Sequence, residues 1–127
     1  MVNYHYNMKN TLPLIINIET PAFSAFLSAL NIRSIQYQQE HFPNLAADEI
    51  VAEQGSRYIR LVRQSTVLDA ETKRPISRSA HAFIDRTNGD VLKTAGWSAP
   101  AKHARGNILA ADNGLDCMGP YGAAYLR

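Results

Sequence analysis

The sequence of 127 residues has little cysteine and no long hydrophobic run. Its single cysteine, Cys117, cannot form an internal disulfide, and one thiol with four dispersed histidines lacks the paired spacings of a structural zinc site. Near the N-terminus the longest apolar run, residues 14–16, is far too short for a membrane span or a signal-peptide core. We therefore expect a cytoplasmic protein that needs no metal or other cofactor and has no membrane partner.

The chain also lacks internal repeats, low-complexity tracts and any Gly/Ser linker, so we interpret residues 1–127 as a single domain. An apolar fraction of 46% and a charged fraction of 19% are ordinary for globular proteins. A domain of this size can bury roughly two-thirds of the surface of its unfolded chain. A compact hydrophobic core is expected.

Local patterns predict an α+β fold, with a small antiparallel sheet of three to five strands and one or two packed helices. Thr20 and Pro21 are typical of a helix start, and apolar residues at three- and four-residue spacing carry that helix to about Asn31. The pattern from Ile32 to Leu45 is mixed and leaves open an extension of the helix, which Pro43 would end. Asn88-Gly89 is a strong cue for a hairpin between strands 77–85 and 90–94. Further strands are predicted at 12–18, 49–54 and 57–64, and Gly55-Ser56 suits a tight turn that joins the last two as a hairpin. The residues through Asn10 form a strand or a loose arm. A short helix is capped by Ser98, runs through Arg105 and terminates at Gly106.

Positive charge is concentrated in the middle of the chain. Residues 57–105 hold ten lysines and arginines against four carboxylates, a net charge of +6, while residues 1–56 carry −3 and residues 106–127 carry −1. Such asymmetry favours a polyanionic partner for the middle segment. The alternative is that these cations belong to ordinary solvated strand faces.

The peptide around Trp97 combines an indole with several cations. An exposed indole can stack on an unpaired base, and guanidinium and ammonium groups neutralise phosphates. The alternatives are a tryptophan that anchors the core and cations that interact with a helix dipole. The predicted nucleic-acid site comprises Arg57, Tyr58, Arg60, Arg63, Arg78, Lys93, Trp97, Lys102, His103 and Arg105.

Two stretches resemble short uncharacterised proteins encoded by bacteriophages. They are FIDRTNGDVLKTAGWSAPAKHARGN at 83–107 and GPYGAAYLR at 119–127. The resemblance implies a viral setting, and hence the host cytoplasm, but it carries no activity and no site residue across.

The sequence thus predicts a protein that binds single-stranded nucleic acid with little sequence preference. The alternative is a protein-interaction module, either an inhibitor of a host protein or a virion component, that could form homo-oligomers. Three catalytic arrangements are weaker: His81 with His103 as acid and base beside Lys93 or Arg105, Asp85 with Asp90 around a cation, and Cys117 as a nucleophile. Because no Walker loop, dinucleotide fingerprint or zincin helix is present, we do not expect an enzyme.

Overall fold

One long helix lies against a five-stranded antiparallel sheet in the computed structural model, which describes residues 13–123. This architecture confirms the predicted α+β class. The elements are α1 (Pro21–His41), β1 (Glu49–Gln54), β2 (Tyr58–Gln64), β3 (Arg78–Asp85), β4 (Asp90–Thr94), β5 (Pro100–Asn107), a 3₁₀ turn (Leu115–Cys117), β6 (Met118–Gly119) and β7 (Gly122–Ala123).

The sheet is a meander in which neighbouring strands follow each other in sequence, from β1 at one edge to β5 at the other. The β3–β4 hairpin turns where the Asn-Gly pair predicts, and Gly89 adopts a φ of +84° that glycine tolerates best. Asp85 completes this turn, because its carboxylate accepts hydrogen bonds from the backbone N–H and the hydroxyl of Thr87. Both predicted hairpins, β1–β2 and β3–β4, are confirmed.

The hydrophobic core lies between α1 and one face of the sheet. Strand alternation sends every second side chain to that face. Burial of these apolar side chains supplies most of the driving force for folding. The largest fully buried side chains of this core are Phe23, Phe26, Ile16, Ile59, Leu61, Ile84, Ile108 and Val91. Val62 is also fully buried but lies outside this cluster.

Helix α1 is ten residues longer than the sequence pattern predicts, since it continues from Asn31 to His41. The apolar stripe ends at Leu30, but the next two buried positions on the same side are polar. Ser34 accepts a hydrogen bond from Arg63, and the Gln38 amide bonds the backbone of residues 46 and 48. The helix boundary was wrong because buried polar residues with partners can replace apolar ones.

The predicted strand at 12–18 is wrong for residues 13–18, which the structure describes. Residue 12 and the predicted strand or arm through Asn10 lie outside the described residues. Residues 13–17 carry no regular structure. The backbone N–H groups of Ile15 and Ile16 both donate to the Arg86 carbonyl, and the Arg86 guanidinium donates to the Ile16 carbonyl. This segment is therefore anchored to the β3–β4 turn instead of pairing with a strand.

The predicted helix from Ser98 to Gly106 is also wrong, because this segment forms the edge strand β5 and pairs with β4. The capping signals at Ser98 and Gly106 depend only on neighbouring residues. The hydrogen bonds between β5 and β4 form only when the chain folds, so the local sequence does not indicate them. Pairing between strands overrides such capping preferences when the two conflict.

Candidate functional site

The face of the sheet opposite α1, here called the open face, carries charged and aromatic side chains from β1 to β3. Arg60 projects onto it because its neighbours Ile59 and Leu61 enter the core beneath α1. The strand register places Glu53 of β1 on one side of Arg60 and Phe83 of β3 on the other. Three adjacent strands thus bring a carboxylate, a guanidinium and a phenyl ring into one row.

Trp97 lies over the open face from the loop between β4 and β5. The guanidinium carbons of Arg60 and Arg78 lie 4.3 and 5.3 Å from the centre of its ring, within cation–π distance. Arg60 also donates from Nη1 to the Trp97 carbonyl at 3.2 Å. The tryptophan remains 41% exposed, so it is not the core anchor that the sequence allowed for.

Glu53 holds both arginines in place. Its Oε1 accepts from Arg60 Nη2 at 2.8 Å and from Nε at 3.2 Å, and its Oε2 accepts from Arg78 Nη2 at 2.5 Å. Hydrogen bonds from Arg60 and then from Arg78 lower the pKa of the Glu53 carboxyl. Glu53, Arg60, Arg78 and Trp97 are called the Trp97 cluster below, and two guanidiniums against one carboxylate leave it with a net charge of +1.

A second ring pair continues the open face toward the β1–β2 turn. Tyr58 and Phe83 meet edge to face with their ring centres 6.3 Å apart. The Arg57 guanidinium carbon lies 5.4 Å from the centre of the Tyr58 ring, and Arg57 forms an ion pair with Asp85 at 3.1 Å. A groove of about 340 Å³ runs between this pair and Ser98, next to the Trp97 cluster.

The remaining predicted site residues do not join this cluster. Arg63 faces α1, where it donates to Asp48 and Ser34, and strand alternation places Lys93 on the same side as the core residue Val91. The edge strand β5 carries three more of them: Lys102 and His103 are exposed, and Arg105 donates from Nη1 to the His103 carbonyl.

The chain matches the model of a family of unknown function (DUF7717) over residues 4–124. The chain belongs to this family. No curated protein and no solved structure matches. The match spans the residues of the Trp97 cluster and of the edge strand β5. In the described part of the DUF7717 chain, no helix has both the length and the hydropathy of a membrane span.

The catalytic arrangements considered from the sequence do not assemble in this DUF7717 chain. His81 is buried, whereas His103 is exposed on the edge strand. Asp85 is engaged by Thr87 and Arg57.

Asp90 accepts hydrogen bonds from the side chains of Asn88 and Asn107, so it belongs to the turn chemistry at the hairpin. Burial raises the pKa of the Cys117 thiol, and the thiol donates to the Gly114 carbonyl. A thiol with a raised pKa is a poor nucleophile at neutral pH.

Sequence reasoning missed Glu53, which organises the Trp97 cluster. The contact between Glu53 and Arg60 was predictable, because a tight turn at Gly55-Ser56 places these two residues opposite each other on β1 and β2. No local signal links Glu53 to Arg78, which is 25 residues away and reaches it across β2.

Proposed function

We propose that the protein binds single-stranded nucleic acid on the open face, with Trp97 as the platform on which an unpaired base stacks. The observation that carries the proposal is an exposed indole held beside two guanidiniums on a rigid sheet. Base stacking on aromatic rings contributes about 1–3 kcal/mol per base and does not depend on base identity. Binding of this kind has little sequence preference.

The hydrogen bonds of the Trp97 cluster support different roles for Arg60 and Arg78. Arg60 uses Nε, Nη1 and Nη2 for Glu53 and the Trp97 carbonyl, so it positions the indole. Arg78 donates Nε to Gln64 and Nη2 to Glu53, while its Nη1 has no partner among residues 13–123. In the proposal, Arg78 Nη1 contacts the phosphate next to the stacked base.

The edge strand extends the proposed path of the nucleic acid. Lys102 and His103 are exposed on β5, the strand that begins directly after the Trp97 loop. In the proposal they contact phosphates of neighbouring nucleotides, as does Arg57 at the far end of the groove. Arg63 faces α1 and Lys93 lies on the same side of the sheet by strand alternation, so neither takes part in the proposed site.

Intrinsic fluorescence tests the proposal directly, because Trp97 is the only tryptophan in the chain. Titration with a single-stranded oligonucleotide is expected to quench this fluorescence, and the affinity is expected to fall as salt rises, since phosphate contacts release counterions. The same titration with a duplex should give weaker quenching. If fluorescence stays constant at low salt while the protein is folded, the proposed site is wrong.

Paired variants, followed by the anisotropy of a labelled oligonucleotide, locate the interface. Trp97→Ala should weaken binding by about five- to a hundredfold, equivalent to the loss of one stacked base. Arg78→Gln should lower the slope of log affinity against log salt by about 0.7, the loss of one contact to a single strand. Arg33→Gln removes the same charge from α1 and should leave binding unchanged. Equal effects of the two arginine variants would indicate only a general charge effect.

The second candidate function is a protein-interaction module, favoured by exposed apolar side chains at the C-terminal end of α1. Phe42, Leu45 and Tyr121 are 43%, 65% and 74% exposed and border a common depression. An apolar protein interface responds weakly to salt, so the salt titration separates the two candidates. The proposed setting in either case is a bacteriophage-infected cell, on the resemblance of residues 83–107 and 119–127 to short phage proteins.

A further inference from the structure

A cavity of about 150 Å³ lies between α1 and the short β6–β7 hairpin, on the side of the sheet away from the Trp97 cluster. Its walls are mostly apolar and include Leu30, Ile50, Met118 and Pro120, with the Tyr37 ring among them. An apolar cavity of this volume is large enough to bind a single aromatic ring such as benzene. Size and lining therefore suit a small aromatic molecule.

His81 adds an imidazole ring to the polar groups that line this cavity. The residue is only 4% exposed and lines the cavity, and its imidazole has no hydrogen-bond partner within residues 13–123. Burial, and then the charge of Arg63, lower the pKa of His81 to about 4. At neutral pH the ring is therefore uncharged and offers one N–H donor and one acceptor nitrogen.

Two features of the backbone hold His81 in this position. The register between β2 and β3 shifts at Leu61/Val62, because Ala80 pairs with Val62 and Ala82 with Leu61, leaving His81 as the extra residue. Such bulges re-aim a side chain and are common beside functional sites. Gly122 of β7 has a φ of +124°, and a Cβ there would collide with the His81 carbonyl oxygen. The hairpin that covers the cavity therefore approaches His81 as closely as a glycine permits.

Two arginines line the cavity and already donate to groups of the protein, Arg33 from Nη1 to the Leu115 carbonyl at 2.8 Å. Arg63 donates from Nε to Asp48 at 3.1 Å, from Nη2 to Ser34 at 3.0 Å and from Nη1 to the Pro120 carbonyl at 2.6 Å. All three of its nitrogens are thus occupied, and Asp48 balances its charge. A neutral ligand needs no counter-ion when it is buried, so the apolar walls and the uncharged imidazole suit a neutral aromatic molecule.

We propose that this cavity binds a small neutral aromatic molecule of about one ring, whose hydroxyl or ring N–H donates a hydrogen bond to His81. A neutral imidazole nitrogen accepts such a bond, and the apolar walls bury the ring. Phenol and toluene form a matched pair of probes, because they have nearly the same shape and differ in the hydroxyl group.

The test is a titration of the 127-residue chain with each probe, followed by ¹H–¹⁵N NMR. Both probes are expected to shift the amide signals of residues that line the cavity, such as Leu30 and Ile50. In His81→Leu, the affinity for phenol relative to toluene should fall by about two- to tenfold, the range for loss of one hydrogen bond. Trp97→Ala, on the other side of the sheet, should leave phenol binding unchanged.

A second measurement keeps the proposal testable if His81→Leu does not fold. In the unaltered protein, phenol should shift the imidazole ¹⁵N signals of His81, and toluene should leave them in place. The proposal is overturned if neither probe shifts cavity signals at millimolar concentration, or if phenol and toluene act identically on the His81 ring. Because this cavity and the Trp97 cluster lie on opposite sides of the sheet, either site can fail independently of the other.

Discussion

At the scale of single residues, His81 shows how a buried titratable group links stability to pH. Burial, and then the positive charge of Arg63, lower the pKa of His81 to about 4. Arg63 itself forms an ion pair with Asp48. In the unfolded chain a histidine titrates near 6.5. Between about pH 4 and pH 6.5, His81 is therefore mostly uncharged in the folded protein and mostly protonated in the unfolded chain.

We predict that stability falls as the pH is lowered from about 6.5 to about 4. Each pKa unit corresponds to 1.36 kcal/mol, so the difference of about 2.5 units is worth about 3 kcal/mol. Below about 4 both states carry the proton, and this contribution is lost in full. The measurement is urea denaturation across this pH range.

The matched variants for this prediction are His81→Leu and His103→Ala. Removing the buried histidine should flatten the slope between pH 6.5 and 4, whereas removing the exposed histidine of β5 should preserve it. If the unaltered protein and His81→Leu lose stability in parallel as the pH falls, other groups are responsible for the effect.

At the scale of secondary-structure elements, α1 closes the outer edge of β1 with two side-chain amides. Asn31 donates to the Ile50 carbonyl at 2.9 Å and accepts from the Ile50 N–H at 2.8 Å. Seven residues later, Gln38 bonds Ala46 and Asp48 in the segment that leads into β1. Both amides therefore take the place that the backbone of another strand would occupy.

Asn31→Ala is predicted to destabilise the protein by about 1–3 kcal/mol, because it leaves two backbone groups of Ile50 without partners. The measurements are the urea midpoint and the hydrogen exchange rate of the Ile50 amide, which should rise. Gln39→Ala serves as the control, since Gln39 is an exposed amide on the same helix. An unchanged midpoint together with a protected Ile50 amide would contradict this role for Asn31.

The elements also show what the sequence could and could not predict. The β1–β2 and β3–β4 hairpins depend on short-range turn signals such as Asn88-Gly89, and the structure confirms both. The second half of α1 depends on partners for Ser34 and Gln38 that lie on other elements. For the same reason the strand character of residues 100–107 was missed, because it depends on pairing with β4.

At the scale of the whole molecule, the excess charge of residues 57–105 is divided between the two sides of the sheet. Arg60 and Arg78 reach the open face, whereas Arg63 turns toward α1. A sequence gives the sum of these charges but not their partition, because the partition depends on strand alternation and on the β2–β3 bulge. The tryptophan and two arginines of the candidate site were thus predictable as residues, and their arrangement was not.

Charge balance on the open face leads to a prediction for Glu53→Gln. The change frees two guanidiniums from their shared carboxylate, so affinity for a single-stranded oligonucleotide should rise roughly threefold or more, with a steeper salt dependence. Glu49→Gln is the control, because it removes the same charge from the same strand outside the Trp97 cluster. Equal changes in affinity for the two variants would argue against a specific role for the cluster.

The amides of Asn31 and Gln38 also limit how copies of this chain could associate. Asn31 occupies both backbone groups of Ile50 at the outer edge of β1, whereas no strand within residues 13–123 pairs with the outer flank of β5. A subunit with one such flank can join one neighbour through its sheet, and two copies meeting there would close around a twofold axis. An assembly that extends this sheet through β5 alone would therefore stop at a pair and would not grow into a fibre.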